Sequence, residues 1–264
     1  MLVHPTTEGL LALNMTAMAE GLVEQRGHPD YESLGFEERL GLLVDRELLA
    51  RENRRMARHL KAAKLKVPAT IEDVDFRRPR GLDRSQVLSL ADAHFVEHNQ
   101  AVLVIGPTGV GKTFLACAFA HAAIRRGHTA LYVRAPRLFD EIAIARADGR
   151  LARLMASWAR VGVLAIDDFL LRPLAPDQSA DLLEVIEDRS GLRSTIVTSQ
   201  LPVSMWHEAL GDATIADAIL DRLLEKEHRI ELHGESLRRP PPTNAQTKST
   251  TGRSSRRAPA SEAK

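Results

Sequence analysis

The segment Gly106-Pro107-Thr108-Gly109-Val110-Gly111-Lys112-Thr113 is the most informative stretch of this 264-residue chain. It matches the pattern G-x-x-x-x-G-K-[ST] at every fixed position, between an apolar run at 101–105 and a helical pattern at 112–125. Its glycines leave room for backbone N–H groups to converge on phosphate oxygens, and the following helix adds its positive N-terminal end. The segment therefore predicts a nucleotide-phosphate site. The alternative is a glycine-rich turn that matches by accident.

Four side chains are expected to carry the chemistry of this site. Lys112 is expected to reach the β- and γ-phosphates of ATP, and the Thr113 hydroxyl to bind Mg²⁺. Asp167 and Asp168 follow a second apolar run at 161–166, and ligands of open α/β sheets bind at the carboxyl ends of the strands. Asp167 is predicted to hold Mg²⁺, and Asp168 to orient or activate water as a general base. Two helix-capping aspartates are the alternative.

Short apolar runs alternate with helical patterns from about residue 84 onward. The predicted strands are 101–105, 129–133, 161–166, 194–198 and 229–232, and the clearest helices are 112–125 and 177–189. This alternation is typical of βαβ units and predicts an α/β fold, a P-loop core with a five-stranded parallel sheet flanked by helices. In the sequence, one strand lies between the phosphate-loop strand and the Asp167 strand. That layout resembles the additional-strand, catalytic-carboxylate branch of P-loop ATPases.

Two features downstream suit the same chemistry. The fourth run ends in polar residues where a γ-phosphate sensor is expected, and Ser199 and Gln200 are both candidates. Arg222, on a later helix, suits an arginine finger that acts on the nucleotide of a neighbouring subunit. The alternative is a surface arginine paired with Asp221 or Glu225.

The first 66 residues are predicted to form a small helical domain. Apolar spacing over 10–25 predicts one helix, and a longer second helix is expected to start at an N-cap Ser33 and to stop at Val67-Pro68. The expected apolar stripe of the second helix is Phe36, Leu40, Leu43, Leu48 and Met56. Its far half carries a cationic face that could neutralise DNA phosphates or be a solvated surface: Arg51, Arg54, Arg55, Arg58 and Lys61.

The net charge of +1 is the sum of three different segments. Residues 1–66, a DNA-binding or oligomerisation arm, hold 10 basic and 10 acidic side chains. The predicted ATPase core, 67–239, holds 21 basic and 24 acidic side chains. A proline-rich tail, 240–264, holds 5 basic and 1 acidic. That tail has no apolar periodicity and is expected to be disordered. Near-neutrality of the whole chain therefore does not argue against a nucleic-acid partner.

Other classes of protein are disfavoured. One cysteine, Cys117, allows neither an intramolecular disulfide nor a cysteine zinc cluster. No stretch approaches 18 apolar residues, and the first residues lack the basic and apolar regions of a signal peptide. A cytoplasmic protein without a membrane partner is expected.

Several segments together resemble the IstB-type helper ATPases of insertion-sequence transposition, which belong to the AAA+ class and are similar to the DnaC-type helicase loaders. The segments are 106–113, the LAIDDF of 164–169, the TIVTSQLP of 195–202 and the AILDRL of 218–223. The GESLR of 234–238 and the two leading helices also fit, so the similarity covers roughly residues 8–239.

The resemblance implies an AAA+ ATPase that binds duplex DNA as an ATP-dependent homo-oligomer and recruits or stimulates a transposase. It implies nucleotide, metal and catalytic roles for Lys112, Thr113, Asp167, Asp168 and Arg222, and apolar contacts to adenine for Val74 and Phe76. The general AAA+ catalytic acid is Glu, and Asp168 is one methylene shorter, so slow hydrolysis is expected. A helicase loader and an ATP-dependent DNA scaffold without turnover remain alternatives.

Overall fold

The computed structural model describes residues 4–237. Within them, a helical arm precedes an α/β core, as predicted. The predicted disordered tail, 240–264, and the last two residues of the predicted core lie outside the described residues.

The arm contains three helices, α1 (Pro5–Ala12), α2 (Thr16–Gly27) and α3 (Phe36–Ala63), with a 3-10 turn at Pro29–Tyr31. The prediction of one helix over 10–25 was wrong, because Asn14 adopts a left-handed conformation (φ 56°) that divides the segment. The predicted N-cap Ser33 was also wrong. Gly35 is the N-cap of α3, and its N–H donates to the Glu38 carboxylate over 2.8 Å.

Helix α3 uses different faces along its length. Its first half packs on α2 through Leu43, and its second half packs on the core through Met56 and Leu60. The predicted apolar stripe is therefore only partly buried, and Phe36, Leu40 and Leu48 are exposed. The reason is geometric, since a helix that changes partner midway need not bury one continuous stripe.

The core elements alternate as the sequence pattern predicts. The strands are β1 (Ala101–Ile105), β2 (Ala130–Arg134), β3 (Val163–Phe169), β4 (Ser194–Ser199) and β5 (Glu227–Glu231). The helices are α4 (Arg84–Ala91), α5 (His94–Glu97), α6 (Lys112–Arg125), α7 (Ala135–Ala147), α8 (Leu151–Arg160), α9 (Pro176–Glu187), α10 (Trp206–Leu210) and α11 (Ala213–Leu224), with a 3-10 turn at Val203–Met205.

The sheet is parallel throughout, with the order β2-β3-β4-β1-β5. The predicted five-stranded sheet is confirmed, and β4 lies between the phosphate-loop strand and β3. Strand β1 has the predicted ends, whereas β3 starts and ends later than predicted, so that both acids belong to the strand. The predicted fifth strand, 229–232, is observed as Glu227–Glu231.

Helices cover both faces of the sheet. Helices α4, α5 and α6 and the end of α3 pack on one face, and α7 to α11 pack on the other. Strand β1 serves both layers: Val102 and Val104 face the first, and Leu103 and Ile105 face the second. Among the described residues, no helix is both long and apolar enough to cross a membrane.

Candidate functional site

A cleft of about 520 Å³ lies at the carboxyl ends of the strands. It is formed by the phosphate loop, by residues at or just after the ends of β2, β3 and β4, and by the segment that follows α3. The side chains that matter most below are Lys66, Lys112, Thr113, Arg134, Asp168 and Gln200. The fold thus joins residues that are more than 130 positions apart in the chain.

The phosphate loop depends on its glycines. Gly106, Gly109 and Gly111 have φ values of 151°, 85° and 104°, which side-chain-bearing residues rarely adopt. A Cβ at Gly106 would overlap the Leu232 carbonyl, and a Cβ at Gly109 would overlap the Ser236 side chain. The loop thus needs glycine for its backbone conformation and for its close packing, and neither Gly106 nor Gly109 tolerates another residue.

Lys112 lies over the loop that it follows. Its Nζ donates to the carbonyl oxygens of Gly106 and Pro107, each over 2.8 Å. Both acceptors are neutral carbonyl groups rather than charged partners, and the side chain lines the cleft. A phosphate in the cleft would therefore meet a cation held close to the loop.

Asp167 is almost fully buried and is surrounded by hydroxyl donors. Thr113 Oγ1 lies 3.0 Å from each of its carboxylate oxygens, and the Tyr132 hydroxyl donates to Oδ2 over 2.5 Å. Thr198 Oγ1 donates to Oδ1. Burial, and then the Asp167 carboxylate, raise the pKa of Tyr132 far above its usual range, so that its hydroxyl stays protonated as a donor.

The Thr113–Asp167 pair fits Mg²⁺. Mg²⁺ prefers oxygen ligands and is usually held by one or two carboxylates together with substrate phosphates. Within residues 4–237, no group of three or more His, Cys, Asp or Glu side chains could hold a metal alone. The chain therefore supplies part of an oxygen ligand set, which nucleotide phosphates would have to complete.

Asp168 has an unusual backbone and a strong partner. Its φ is 57°, at an irregularity in the β3–β4 pairing between Ile166 and Phe169. Nε and Nη2 of Arg134, at the end of β2, both lie 2.8 Å from Asp168 Oδ2. The hydrogen bond to this carboxylate raises the pKa of Arg134. In this conformation Asp168 is thus ion-paired through Oδ2, one of its two carboxylate oxygens.

The structure separates the two sensor candidates. Gln200 lines the cleft. Ser199 is fully buried, donates to the Phe169 carbonyl over 2.8 Å and accepts from the Leu201 N–H over 3.1 Å. Its hydroxyl therefore holds the chain turn after β4, and Gln200 is the better placed of the two.

Val74 and Phe76, the predicted adenine contacts, do not line this cleft. The alternation of the segment places Asp73 and Asp75 there instead. Val74 is buried. Phe76 lines a neighbouring cavity, where Cζ of Arg84 lies 5.6 Å from the centre of the Phe76 ring. Their role toward adenine remains a prediction that this geometry does not favour.

Arg222 lies at the opposite edge of the sheet. It lines a small cavity with Ala101, the first residue of β1, and Thr195, the second residue of β4, so it cannot reach the cleft of its own chain. Its partners are the Glu187 carboxylate, 2.8 Å from Nη2, and the Ala218 carbonyl. The alternative partners Asp221 and Glu225 are not the ones observed.

The cationic face of α3 is divided among different contacts. Arg51 and Arg54 both contact Glu47, over 2.8 and 3.0 Å, and that buried carboxylate also accepts the Met18 N–H of α2. Arg55 donates to the Gly127 carbonyl, at the end of α6, over 2.8 Å. The remaining members of the face are exposed, and no contact of theirs is recorded within residues 4–237: Arg58 and Lys61.

Several residues that sequence reasoning missed support the phosphate loop. Arg80 is buried and donates to the Val110 carbonyl over 2.8 Å and to the Asp75 carbonyl over 3.1 Å. Leu237 donates from its N–H to the Gly109 carbonyl over 2.9 Å. Tyr132 and Thr198 were also missed. For these two residues the signal in the sequence was a hydroxyl group within an otherwise apolar strand. The sequence does not show which group that hydroxyl contacts.

A parallel sheet of this order, with a phosphate loop after β1 and an acid pair in β3, defines a P-loop nucleotide-binding protein of the AAA+ class. The family model described as IstB-like ATP binding protein matches residues 8–245, and the chain belongs to that family. The predicted resemblance is thereby confirmed.

Relatives and solved structures agree with this assignment. A Sinorhizobium fredii protein named as an insertion sequence ATP-binding protein is 48% identical over 239 residues, which cover 90% of this chain and 98% of that protein. A Pseudomonas fluorescens protein named as the ATP-binding protein of insertion sequence IS1162 is 47% identical over 205 residues, covering 77% and 89%.

Two solved structures show the same fold at low identity. The crystal structure of DnaI has a TM-score of 0.53 and 23% identity, covering 62% of this chain and 91% of that one. Replication initiator DnaA bound to AMPPCP and single-stranded DNA has a TM-score of 0.52 and 15% identity, covering 65% and 52%. These likenesses confirm the predicted α/β fold of the core.

Proposed function

We propose that this ATP-binding protein hydrolyses ATP, assembles on duplex DNA as an ATP-dependent homo-oligomer, and recruits or stimulates a transposase in insertion-sequence transposition. The observation that carries the proposal is a single cleft lined by Lys112, Thr113 and Asp168, with the buried Asp167 in contact with Thr113. The insertion-sequence names of its relatives support the transposase as partner.

The phosphate-binding step follows from Lys112 and the loop. When the triphosphate enters, the Lys112 ammonium exchanges two loop carbonyls for charged phosphate oxygens, which form stronger hydrogen bonds. Thr113 and Asp167 would hold Mg²⁺, which supplies charge neutralisation between the β- and γ-phosphates when bound. Tyr132 and Thr198 keep the Asp167 carboxylate in place for this role.

The hydrolytic step requires Asp168 to leave Arg134. Once released, its carboxylate orients the attacking water and accepts its proton, while Gln200 hydrogen-bonds the γ-phosphate or the water. Arg222, which faces away from its own cleft, acts on the γ-phosphate of the adjacent subunit. Catalysis thus depends on assembly, and Asp168, shorter than Glu, keeps it slow.

The DNA contact is assigned to the exposed part of the cationic face. Arg58 and Lys61 are the members that are exposed without a recorded partner in residues 4–237, and they can neutralise duplex phosphates without reading the bases. Arg51 and Arg54 can add to this only where they leave Glu47.

One observation favours a second candidate, a DNA scaffold that binds ATP without turnover. The Arg134–Asp168 ion pair occupies the carboxylate that would serve as the base. A helicase loader, which would differ in its partner protein, is supported only by a fold likeness to a structure described as the DnaC helicase loader.

ATP turnover measured with and without duplex DNA separates these readings. Turnover that rises with DNA and disappears in Lys112→Ala is expected for the proposed function. If phosphate release is undetectable under both conditions while ATP still binds, hydrolysis is refuted and the scaffold stands. Stimulation of strand transfer by an insertion-sequence transposase, measured with and without this protein, tests the choice of partner.

A further inference from the structure

Lys66 is a second lysine of the nucleotide cleft. It lies three residues after the end of α3, in the segment that joins the arm to the core. Its side chain lines the same cleft as Lys112 and Thr113, and its Nζ lies 3.9 Å from Asp167 Oδ2. No step of the proposed function uses this residue.

The backbone around Lys66 is held against the phosphate-loop helix. Leu65 and Val67 pack against the core on either side of it, and the backbone of Lys66 and Val67 lies against the buried Cys117 thiol of α6. Leu65 and Val67 thus anchor the backbone on both sides of Lys66, and Lys66 lines the cleft together with Val67. A lysine on a mobile linker would have no such constraint.

The electrostatics of Asp167 explain what this ammonium does. Within residues 4–237, Lys66 is the recorded ion-pair partner of Asp167, whose other contacts are hydroxyls. A separation of 3.9 Å is too long for a hydrogen bond, and the lysine side chain is about half exposed, so it can still move. Its flexible four-carbon stem lets the ammonium follow a nearby anion.

We infer that Lys66 is a phosphate-contact residue that the arm supplies to the terminal phosphate of ATP. This inference rests on the proposed nucleotide site. A divalent cation held by Asp167 and Thr113 would neutralise the Asp167 carboxylate and weaken its attraction for the Lys66 ammonium. The γ-phosphate then adds negative charge to the cleft, beside the carboxylates of Asp73 and Asp75 that also line it, whereas ADP lacks that group. Lys66 therefore contributes to preference for ATP over ADP.

The test is nucleotide binding by the full-length chain, with fluorescent mant-ATP and mant-ADP titrated in the presence of Mg²⁺. Lys66→Met is expected to weaken mant-ATP binding about tenfold, the size of one charge-assisted hydrogen bond at a partly exposed site, and mant-ADP binding less than about twofold. Lys66→Arg, which keeps the cation, is expected to retain most of the ATP preference. Lys64→Met removes an equal charge two residues away and is the matched control, with wild-type affinities expected.

Unchanged mant-ATP affinity in Lys66→Met would overturn the inference, since Lys66 would then be only a solvated side chain. Equal losses for ATP and ADP would overturn it too, because the terminal phosphate would not be the group that Lys66 contacts. If Lys66→Met does not fold, as judged by thermal unfolding, Lys66→Gln takes its place with the same expectations. Binding requires neither turnover nor DNA nor a transposase, so a failure of the proposed function leaves this test interpretable.

Discussion

The carboxylate of Asp167 receives hydrogen bonds from three hydroxyls, each on a different element. Thr113 lies on α6, Tyr132 on β2 and Thr198 on β4. A buried carboxylate is costly unless such donors replace water. At this scale the site is thus a preformed set of oxygen and N–H groups, ready for a metal–phosphate ligand.

Thr198→Val tests how far the third hydroxyl supports the acid pair. Valine has the same shape, but Asp167 loses a donor and the Asp168 N–H loses its acceptor. The free energy of unfolding, measured with a denaturant, is expected to fall by about 1–3 kcal/mol. Thr214→Val, at an exposed position of α11, is the control and should change it by less than about 0.5 kcal/mol. A silent Thr198→Val variant would show that the hydroxyl does not support Asp167.

Asp168→Asn tests the proposed base. The amide keeps the size of the side chain but cannot accept the proton of water, so ATP turnover should fall by about 10²-fold or more. Binding of mant-ATP should be retained, whereas Lys112→Ala should lose it. Asp188→Asn, at the exposed end of α9, should behave as wild type. Full turnover in Asp168→Asn would remove Asp168 from the mechanism.

Arg134→Gln tests whether the ion pair restrains hydrolysis. With the guanidinium gone, Asp168 no longer has a cationic partner on β2. Turnover without DNA is therefore expected to rise several-fold, and the stimulation by duplex DNA to shrink. The comparison is phosphate release with and without duplex, and a variant that loses turnover altogether would show that Arg134 assists the reaction instead.

At the scale of elements, α3 connects the arm to the nucleotide site. Its first half binds α2 through Leu43 and Glu47, and its second half contacts the end of α6 through Arg55 and His59. The contacted carbonyls belong to Gly127 and His128, which follow the helix that begins with Lys112. Because the two halves of α3 pack on different partners, the arginines of its cationic face make different contacts.

Two paired variants of α3 separate DNA contact from arm stability. In Arg58→Gln/Lys61→Gln, duplex affinity should fall, and the slope of log affinity against log salt should decrease by roughly 1.8, since each phosphate contact contributes about 0.9. In Arg51→Gln/Arg54→Gln, the contacts to Glu47 are lost, so the thermal stability should fall. The salt slope should change less than it does in Arg58→Gln/Lys61→Gln. Equal salt slopes in the first pair and wild type would mean that Arg58 and Lys61 form only a solvated surface.

At the scale of the whole molecule, the nucleotide cleft and the proposed arginine finger, Arg222, lie at opposite ends of the strands. The cleft opens where the strands end, and Arg222 lies where β1 and β4 begin. A chain by itself cannot bring Arg222 to its own nucleotide. The proposed hydrolysis, with Arg222 as the arginine finger, therefore requires at least two copies of the chain.

Mixing two inactive variants tests this arrangement. Lys112→Ala lacks the phosphate-binding lysine but keeps Arg222, whereas Arg222→Ala has the reverse defect. Each alone should show little turnover, and the mixture should recover activity at subunit contacts that combine one intact cleft with one intact arginine. Arg160→Ala, at the exposed end of α8, replaces Arg222→Ala in the control. A mixture as inactive as its components would argue against action between subunits.

The predictable part of this protein is the part written in contiguous residues. The phosphate loop, the strand before it, the helix after it and the acids of β3 are read directly, because backbone conformation and side-chain spacing there depend on near neighbours. The parallel sheet follows from the alternation of strands and helices, since crossover connections leave few other arrangements.

Contacts between distant segments were decided only by the tertiary structure. The sequence around Tyr132, Thr198 and Lys66 does not predict that these residues contact Asp167. The pairing of Arg134 with Asp168 depends on β2 lying beside β3. The exposed stripe of α3, the split of its arginines and the turn of Ser199 away from the cleft have the same origin. Spacing identifies which residues share a face, but the partner of that face is set by packing over the whole molecule.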